Sequence, residues 1–225
     1  MSKPKVLFAL TSHNQLGDTG KSTGAYIPEV SHPAAVFVDG GYDVEFVSVK
    51  GGQPPADGIK DDDKVTAVFL ADPIIQAKLM ATPTAGQLDP ASYNVIYFAG
   101  GHGTMWDFAD ATDLAALASS IYASGGVIAA VCHGPAGLIG VKDQDGNPIV
   151  AGKSISCFTN EEENAVGLAD IVPFLLESKL IGLGGKHTKA DNFKEHAVVD
   201  QRLVTGQNPA SAVKVAHLAL AALNA

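Results

Sequence analysis

Short apolar runs rich in Val, Ile, Leu and Phe alternate along this chain with stretches of helical spacing, and glycine or polar clusters separate them. Runs of that length bounded by turn residues read as strands buried on both faces, as in a parallel sheet. Val6-Leu7-Phe8-Ala9-Leu10 is the first, and it ends in a polar loop over 11–20. A helix is expected over 23–39, stopped by Gly40-Gly41, and 44–49 alternates as a second strand. Residues 51–64, with Pro54-Pro55 and Asp61-Asp62-Asp63, read as an exposed loop whose charge run is a solvated face. A helix over 71–81 follows, with Pro73 suited to its first turn. Next come a buried strand over 95–99, which enters Gly100-Gly101-His102-Gly103, a helix over 114–123 and a buried strand over 125–131. The C-terminal third predicts a strand over 154–158, a helix over 166–177, strands over 197–199 and 203–205, and an alanine-rich helix over 209–223. Strand and helix signals alternating from end to end predict an α/β protein with a doubly wound, mostly parallel sheet sandwiched by helices.

Composition narrows the picture. With 225 residues, 46% of them hydrophobic, the chain can bury one sizeable core, and no repeat or linker divides it. A single domain over 1–225 is expected, with room for a small cap formed by inserted loops. The two cysteines, Cys132 and Cys157, form no disulfide framework and fit a reducing, cytoplasmic setting. Behind Met1-Ser2-Lys3-Pro4-Lys5, the apolar run is too short for a signal-peptide core or a membrane span. A formal net charge of −9 argues against a nucleic-acid partner.

The candidate chemistry centres on Cys132. The strand that ends at Val131 runs into Cys132-His133-Gly134-Pro135, with Ala130 and Gly134 two positions to either side of the cysteine. Small residues at those places suit a sharp strand-to-helix turn that exposes a nucleophile, an elbow. Pro135 suits a first helical turn, so a helix dipole is expected to favour the thiolate. A small apolar cysteine at a strand end is the alternative reading. Gly100-Gly101-His102-Gly103 can point backbone N–H groups at developing negative charge and, with the N–H of His133, form an oxyanion hole. The same glycines also fit a plain tight turn or a phosphate cradle, although G-x-G-x-x-G and the Walker lysine are both missing. His133 stands next to the sulfur as a candidate base. Glu29 lies in the mostly apolar stretch Ala25-Tyr26-Ile27-Pro28-Glu29-Val30, but a helix glutamate ordinarily faces solvent. Glu161-Glu162-Glu163 suits a helix N-terminus.

Taken together, several segments resemble the ThiJ/PfpI superfamily of the class I glutamine amidotransferase-like, flavodoxin-like fold, and within it the small heat-shock branch that acts as glyoxalase III. They are residues 6–12, Thr23-Gly24 through Glu29 with His32-Pro33, and Gly101-His102-Gly103-Thr104 with Asp107-Phe108. Further along are residues 129–135, Gly152-Lys153-Ser154-Ile155, Phe158-Thr159, residues 203–206 and residues 208–212. The resemblance implies a cofactor-independent, glutathione-independent enzyme that converts methylglyoxal and related 2-oxoaldehydes to 2-hydroxy acids, D-lactate from methylglyoxal, through a Cys132 hemithioacetal. It puts Glu29 beside the sulfur as the proton carrier and Glu163 behind His133, with Glu161 and Glu162 close enough to compete for that place. Gly101, His102 and His133 would bind substrate and oxyanion. No metal and no membrane are implied, and a homodimer is expected. A stress-protective chaperone, a protein deglycase and a cysteine amidase or peptidase are the other activities this superfamily suggests. Cys157 stands where the branch has a small residue, and Asp200-Gln201-Arg202 replaces an Asp-Gly-Arg turn.

Overall fold

The computed structural model describes residues 3–223. Met1 and Ser2 of the N-terminal stretch, and Asn224 and Ala225 of the expected 1–225 domain, lie outside the described residues. In chain order the first half contains β1 (Lys5–Leu10), β2 (Ala25–Tyr26), α1 (Pro28–Asp39), β3 (Asp43–Ser48), β4 (Ala56–Asp57), α2 (Lys64–Ala71), α3 (Pro73–Met80) and β5 (Val95–Phe98). Then come α4 (Thr104–Asp107), α5 (Thr112–Ala123), β6 (Val127–Val131), β7 (Ser154–Ile155), α6 (Asn160–Ala165) and α7 (Leu176–Gly182). The chain ends in β8 (Lys186–His187), β9 (Ala197–Asp200), β10 (Leu203–Gly206) and α8 (Ala212–Leu223).

The central sheet has the order β3-β1-β5-β6-β10-β9, parallel throughout except for the β10–β9 hairpin. Its five parallel strands therefore follow the 2-1-3-4-5 order of a flavodoxin-like sheet, which places a site beyond the carboxyl ends of the strands. Every residue of β5, β6 and β10 is buried, which explains why these strands read as continuous apolar runs rather than alternating ones. Alternate side chains feed two cores. Leu7, Ala9, Ile96, Phe98, Ile128 and Ala130 pack with α4 and α5 on one face. Val6, Phe8, Tyr97, Ala129 and Val131 pack with α1 and α8 on the other. On α8 the buried residues Ala212, Val215, Ala216 and Ala219 recur at helical spacing, and their small size lets α8 approach the sheet and α1 closely.

Several sequence expectations are corrected. The helix over 23–39 begins only at Pro28, because Ala25-Tyr26 pairs with Ala56-Asp57, inside the segment read as a bare loop. That segment leads directly into a helix, α2, capped by Asp63, whose carboxylate accepts the N–H groups of Val65 and Thr66. Asp72 then caps α3, so the expected helix over 71–81 is cut to Pro73–Met80. Only Ser154–Ile155 of the expected 154–158 strand is paired, with Lys186–His187 and outside the central sheet. The helix over 166–177 does not form. Two short helices, α6 and α7, flank an irregular stretch there, since Pro173 lacks the N–H a helix interior requires. The last helix starts at Ala212, after a 3-10 turn over Pro209–Ser211. In the β9–β10 turn, Gln201 has a φ of 57°, the conformation that a glycine would adopt at no cost.

The turn after β6 leaves no space for a side chain at Gly134: a Cβ there would collide with the Phe98 carbonyl oxygen and lie 2.9 Å from the Phe98 carbonyl carbon. Gly134→Ala should therefore cost about 1–3 kcal/mol in urea unfolding. A cost within about 0.5 kcal/mol, the range of ordinary surface changes, would contradict this packing.

Candidate active site

Cys132 sits at the carboxyl end of β6 with a φ of 59°, left-handed for a residue with a Cβ, and is 4% exposed. Such a conformation costs on the order of 1–3 kcal/mol and persists only where surroundings enforce it. Here the Cys132 N–H donates to the Gly206 carbonyl at 3.0 Å, and its own carbonyl accepts the Phe158 N–H at 2.8 Å. The elbow is thus clamped between β10 and the segment after β7. The reversal also turns the next side chain back toward the sulfur, and His133 Nδ1 lies 3.4 Å from Cys132 Sγ.

Glu29 does not face solvent. It occupies the first turn of α1, behind Pro28, and is fully buried. The Gly100 N–H donates to its Oε2 at 2.9 Å, and its Oε1 has no hydrogen-bond partner. Gly100 makes this approach feasible, because a Cβ there would collide with Glu29 Oε2 and come within 3.0 Å of Cys132 Cβ. Burial pushes the Glu29 carboxyl up to about 8, against the opposing pull of hydrogen bonds from Cys132 and Gly100. Burial, and then the Glu29 charge, raise the Cys132 thiol well above its ordinary range. This corrects the expectation of a dipole-stabilised thiolate: only a five-residue 3-10 turn, Gly134–Leu138, follows the elbow. At neutral pH both groups hold their protons, and two such groups in contact titrate as a pair.

Glu163 is the acid that meets His133, with Oε2 2.7 Å from His133 Nε2. Its Oε1 lies 2.9 Å from Nε2 of His102, so one carboxylate serves two imidazoles. Burial raises this carboxyl, but the two imidazole hydrogen bonds and their charges outweigh it and bring Glu163 down to about 2. His133 falls to about 4, through burial and then the proximity of His102. An ionised Glu163 must accept an N–H from the Nε2 of each ring, and burial keeps His133 neutral. The His133 Nδ1 facing the thiol is therefore an unprotonated acceptor. The three-way ambiguity among adjacent acids resolves physically. Glu161 pairs at the surface with Lys189 at 2.6 Å. Glu162 closes a capping box with Thr159 and accepts the Phe193 N–H and the Gln207 and Asn208 side-chain amides. The Thr159-x-x-Glu162 spacing was the sequence signal that separates them.

Gly101, which has a φ of 106°, and His133 both line the cleft over Cys132. The Thr104 hydroxyl is 2.9 Å from the Gly101 carbonyl and 3.1 Å from that of His133, which ties the two loops together. A cleft of about 230 Å³ opens over Cys132, lined by Gly101, His102 and His133 and by Tyr26, Asp57, Phe158, Val166, Phe193 and Pro209. The last six had no local sequence signal, since they converge from five separate segments. A larger apolar groove of about 520 Å³ lies between α1, α2 and α3, but it carries no nucleophile or paired acid and base, so the chemistry belongs to the smaller cleft. Among the described residues, the histidine and acid side chains close enough to share a metal ion are His102, His133 and Glu163, with ligand atoms within 4.8 Å of one another. Those atoms are already engaged with each other. No helix of the described residues is long and apolar enough to cross a membrane. Cys157 is buried away from the cleft, and the nearby Glu177 and Glu162 charges add to burial in raising its thiol.

The Glu29 shift has a consequence for stability. The carboxyl titrates near 4.5 when unfolded and near 8 when folded, so between these values the unfolded chain binds fewer protons and stability falls as pH rises. His133 acts oppositely between about 4 and 6.5, where the unfolded chain binds the extra proton. Glu29→Gln should remove the falling contribution alone, leaving the variant more stable than the parent near pH 8 by several-fold more than near pH 5. Urea unfolding across that range checks this, and parallel pH profiles for the two proteins would refute a protonated Glu29.

Comparison with known proteins agrees with this geometry. The DJ-1/PfpI family model matches residues 24–222. Glyoxalase 3 of Candida albicans is 36% identical over 97% of this chain and 98% of its own length. The glutathione-independent glyoxalase HSP31 of Saccharomyces cerevisiae is 35% identical over 99% of each. A crystal structure of glyoxalase III from Candida albicans superimposes with a TM-score of 0.88 at 33% identity, covering 97% of both chains. With a match across nearly the whole fold and relatives alike from end to end, this chain belongs to the DJ-1/PfpI family.

Proposed function

We propose that the protein is a glutathione-independent glyoxalase, the activity for which its relatives are named, and that it isomerises methylglyoxal and related 2-oxoaldehydes to 2-hydroxy acids. The observation that carries the reading is the buried, proton-holding Glu29 against Cys132. A proton must travel between two adjacent substrate carbons, and a carboxyl poised near neutrality suits that task. Amide hydrolysis needs a general acid at the leaving amine, whereas Glu29 beside the sulfur fits an isomerisation better.

The reactive form is the Cys132–Glu29 pair holding one proton. Sulfur attacks the aldehyde carbon while Glu29 protonates the resulting oxyanion, which the Gly101 and His133 backbone N–H groups face. The product is a hemithioacetal, and Glu29 is now a carboxylate. It removes the proton from the former aldehyde carbon, giving an enediolate whose charge lies on the second oxygen. The hydroxyl proton passes from the first substrate oxygen to the second, and Glu29 returns its proton to the neighbouring carbon. The result is a 2-hydroxyacyl thioester on Cys132, which water releases. His133, oriented by Glu163, exchanges protons with the sulfur as it forms and leaves its bond to carbon. The small cleft volume suits a three-carbon substrate, and its aromatic lip tolerates larger apolar ones. Cytoplasmic residence, a single catalytic domain and a homodimeric assembly belong to the same proposal.

Purified protein given methylglyoxal, with neither glutathione nor metal added, should form lactate of one hand. Cys132→Ala should lower turnover by at least about 10³-fold. Glu29→Gln should still capture substrate reversibly on sulfur but yield no lactate. Substrate loss without lactate in the parent protein, or lactate from Cys132→Ala at the parent rate, would overturn the proposal.

A further inference from the structure

Glu163 divides one carboxylate between two histidines, although activating a single sulfur requires only one. His133 uses Oε2, and His102 uses Oε1. The two rings lie 4.1 Å apart, centroid to centroid, and are tilted by 43°. They differ in access to water. The His133 side chain is 1% exposed and its free nitrogen faces sulfur, whereas the His102 side chain is 22% exposed and lines the mouth of the cleft. By the same hydrogen-bond logic, His102 gives its Nε2–H to Glu163, which leaves Nδ1 as its second nitrogen. None of the described hydrogen bonds uses that nitrogen.

The glyoxalase reaction ends in a step for which the groups already assigned are badly placed. Release of the thioester needs a base for water. Glu29 is fully buried, and His133, 1% exposed, turns its free nitrogen to the sulfur rather than to water. An imidazole backed by an ionised carboxylate, part-exposed to solvent and lining the same cleft as the nucleophile, is the arrangement that activates water in acyl transfer. Resting on the glyoxalase reading above, we propose that His102, held by Glu163, is a second catalytic histidine, the general base for hydrolysis of the Cys132 thioester.

In this step the oxygen of water bonds to the thioester carbon while its proton goes to His102 Nδ1. The carbon–sulfur bond then breaks with its electron pair remaining on sulfur, and the product carboxyl gives its proton to the Cys132–Glu29 pair as it leaves, which restores the one-proton reactive form. His102 discharges its proton to solvent at the cleft mouth. No oxidant, reductant or metal enters.

The test is a rapid-quench single turnover with methylglyoxal, comparing the parent protein with His102→Gln and His102→Asn. After acid quench, free substrate is removed, which reverses any hemithioacetal. Neutral hydroxylamine then releases thioester-bound acyl groups from Cys132 as the hydroxamate. In the variants, thioester should form at the parent rate and accumulate toward one per chain, while steady-state turnover falls by about 10²-fold. A purely structural role for His102 would slow thioester formation together with turnover, and that result would overturn the assignment. So would unchanged turnover, or thioester accumulating instead in Asp57→Asn, the other cleft residue able to accept a proton from water. If the parent protein makes no lactate at all, the glyoxalase reading fails and this base with it. Lactate from the parent without accumulation in the variants defeats only the role given to His102.

Discussion

The site depends on a backbone reversal at Cys132 that the chain would not adopt alone. Two hydrogen bonds, to Gly206 and from Phe158, hold the residue in a left-handed conformation. Every chemical distance follows from that clamp. It directs sulfur toward the first turn of α1 and swings His133 back until Nδ1 faces the thiol. The neighbours that permit it are small for the same reason. Gly134 rests against the backbone of β5, and Gly100 gives its space to the Glu29 carboxylate. A strained nucleophile is affordable here because β5, β6 and β10 are buried along their whole length and do not yield.

Much of this was legible in the sequence, and the boundary has physical causes. The parallel strands were plain because burial on both faces makes them continuous apolar runs. The elbow was plain because it demands small residues at two fixed offsets. Glu29 was not legible from local pattern, since its burial depends on Gly100, 71 positions away, and on the β2–β4 pairing that delays the start of α1. Only family resemblance pointed to it. The stretch over 166–177 misled because its apolar residues have helical composition, while Pro173 and the docking of Leu176 on the core decide otherwise. The cleft lining was invisible for a simpler reason: Tyr26, Asp57, Phe158 and Phe193 meet only through tertiary structure.

Electrostatically, the centre separates two carboxyl groups by environment. Glu163 is ionised because two imidazole N–H groups converge on it, and Glu29 is neutral because burial offers it one backbone N–H and a thiol. A fixed anion orients the histidines, and a mobile proton is kept where carbon chemistry needs it. Separating the two acids in this way fits an isomerisation followed by hydrolysis better than either reaction alone.

The protonation of Glu29 is the point at which this scheme is most exposed. Infrared difference spectroscopy of the parent protein against Glu29→Gln reads the carboxyl stretch of this residue directly during a pH titration. A protonated carboxyl band that persists at neutrality and disappears around pH 8 is the expected result. A Glu29 already ionised below pH 6 would contradict it, and would leave the proton shuttle without its carrier.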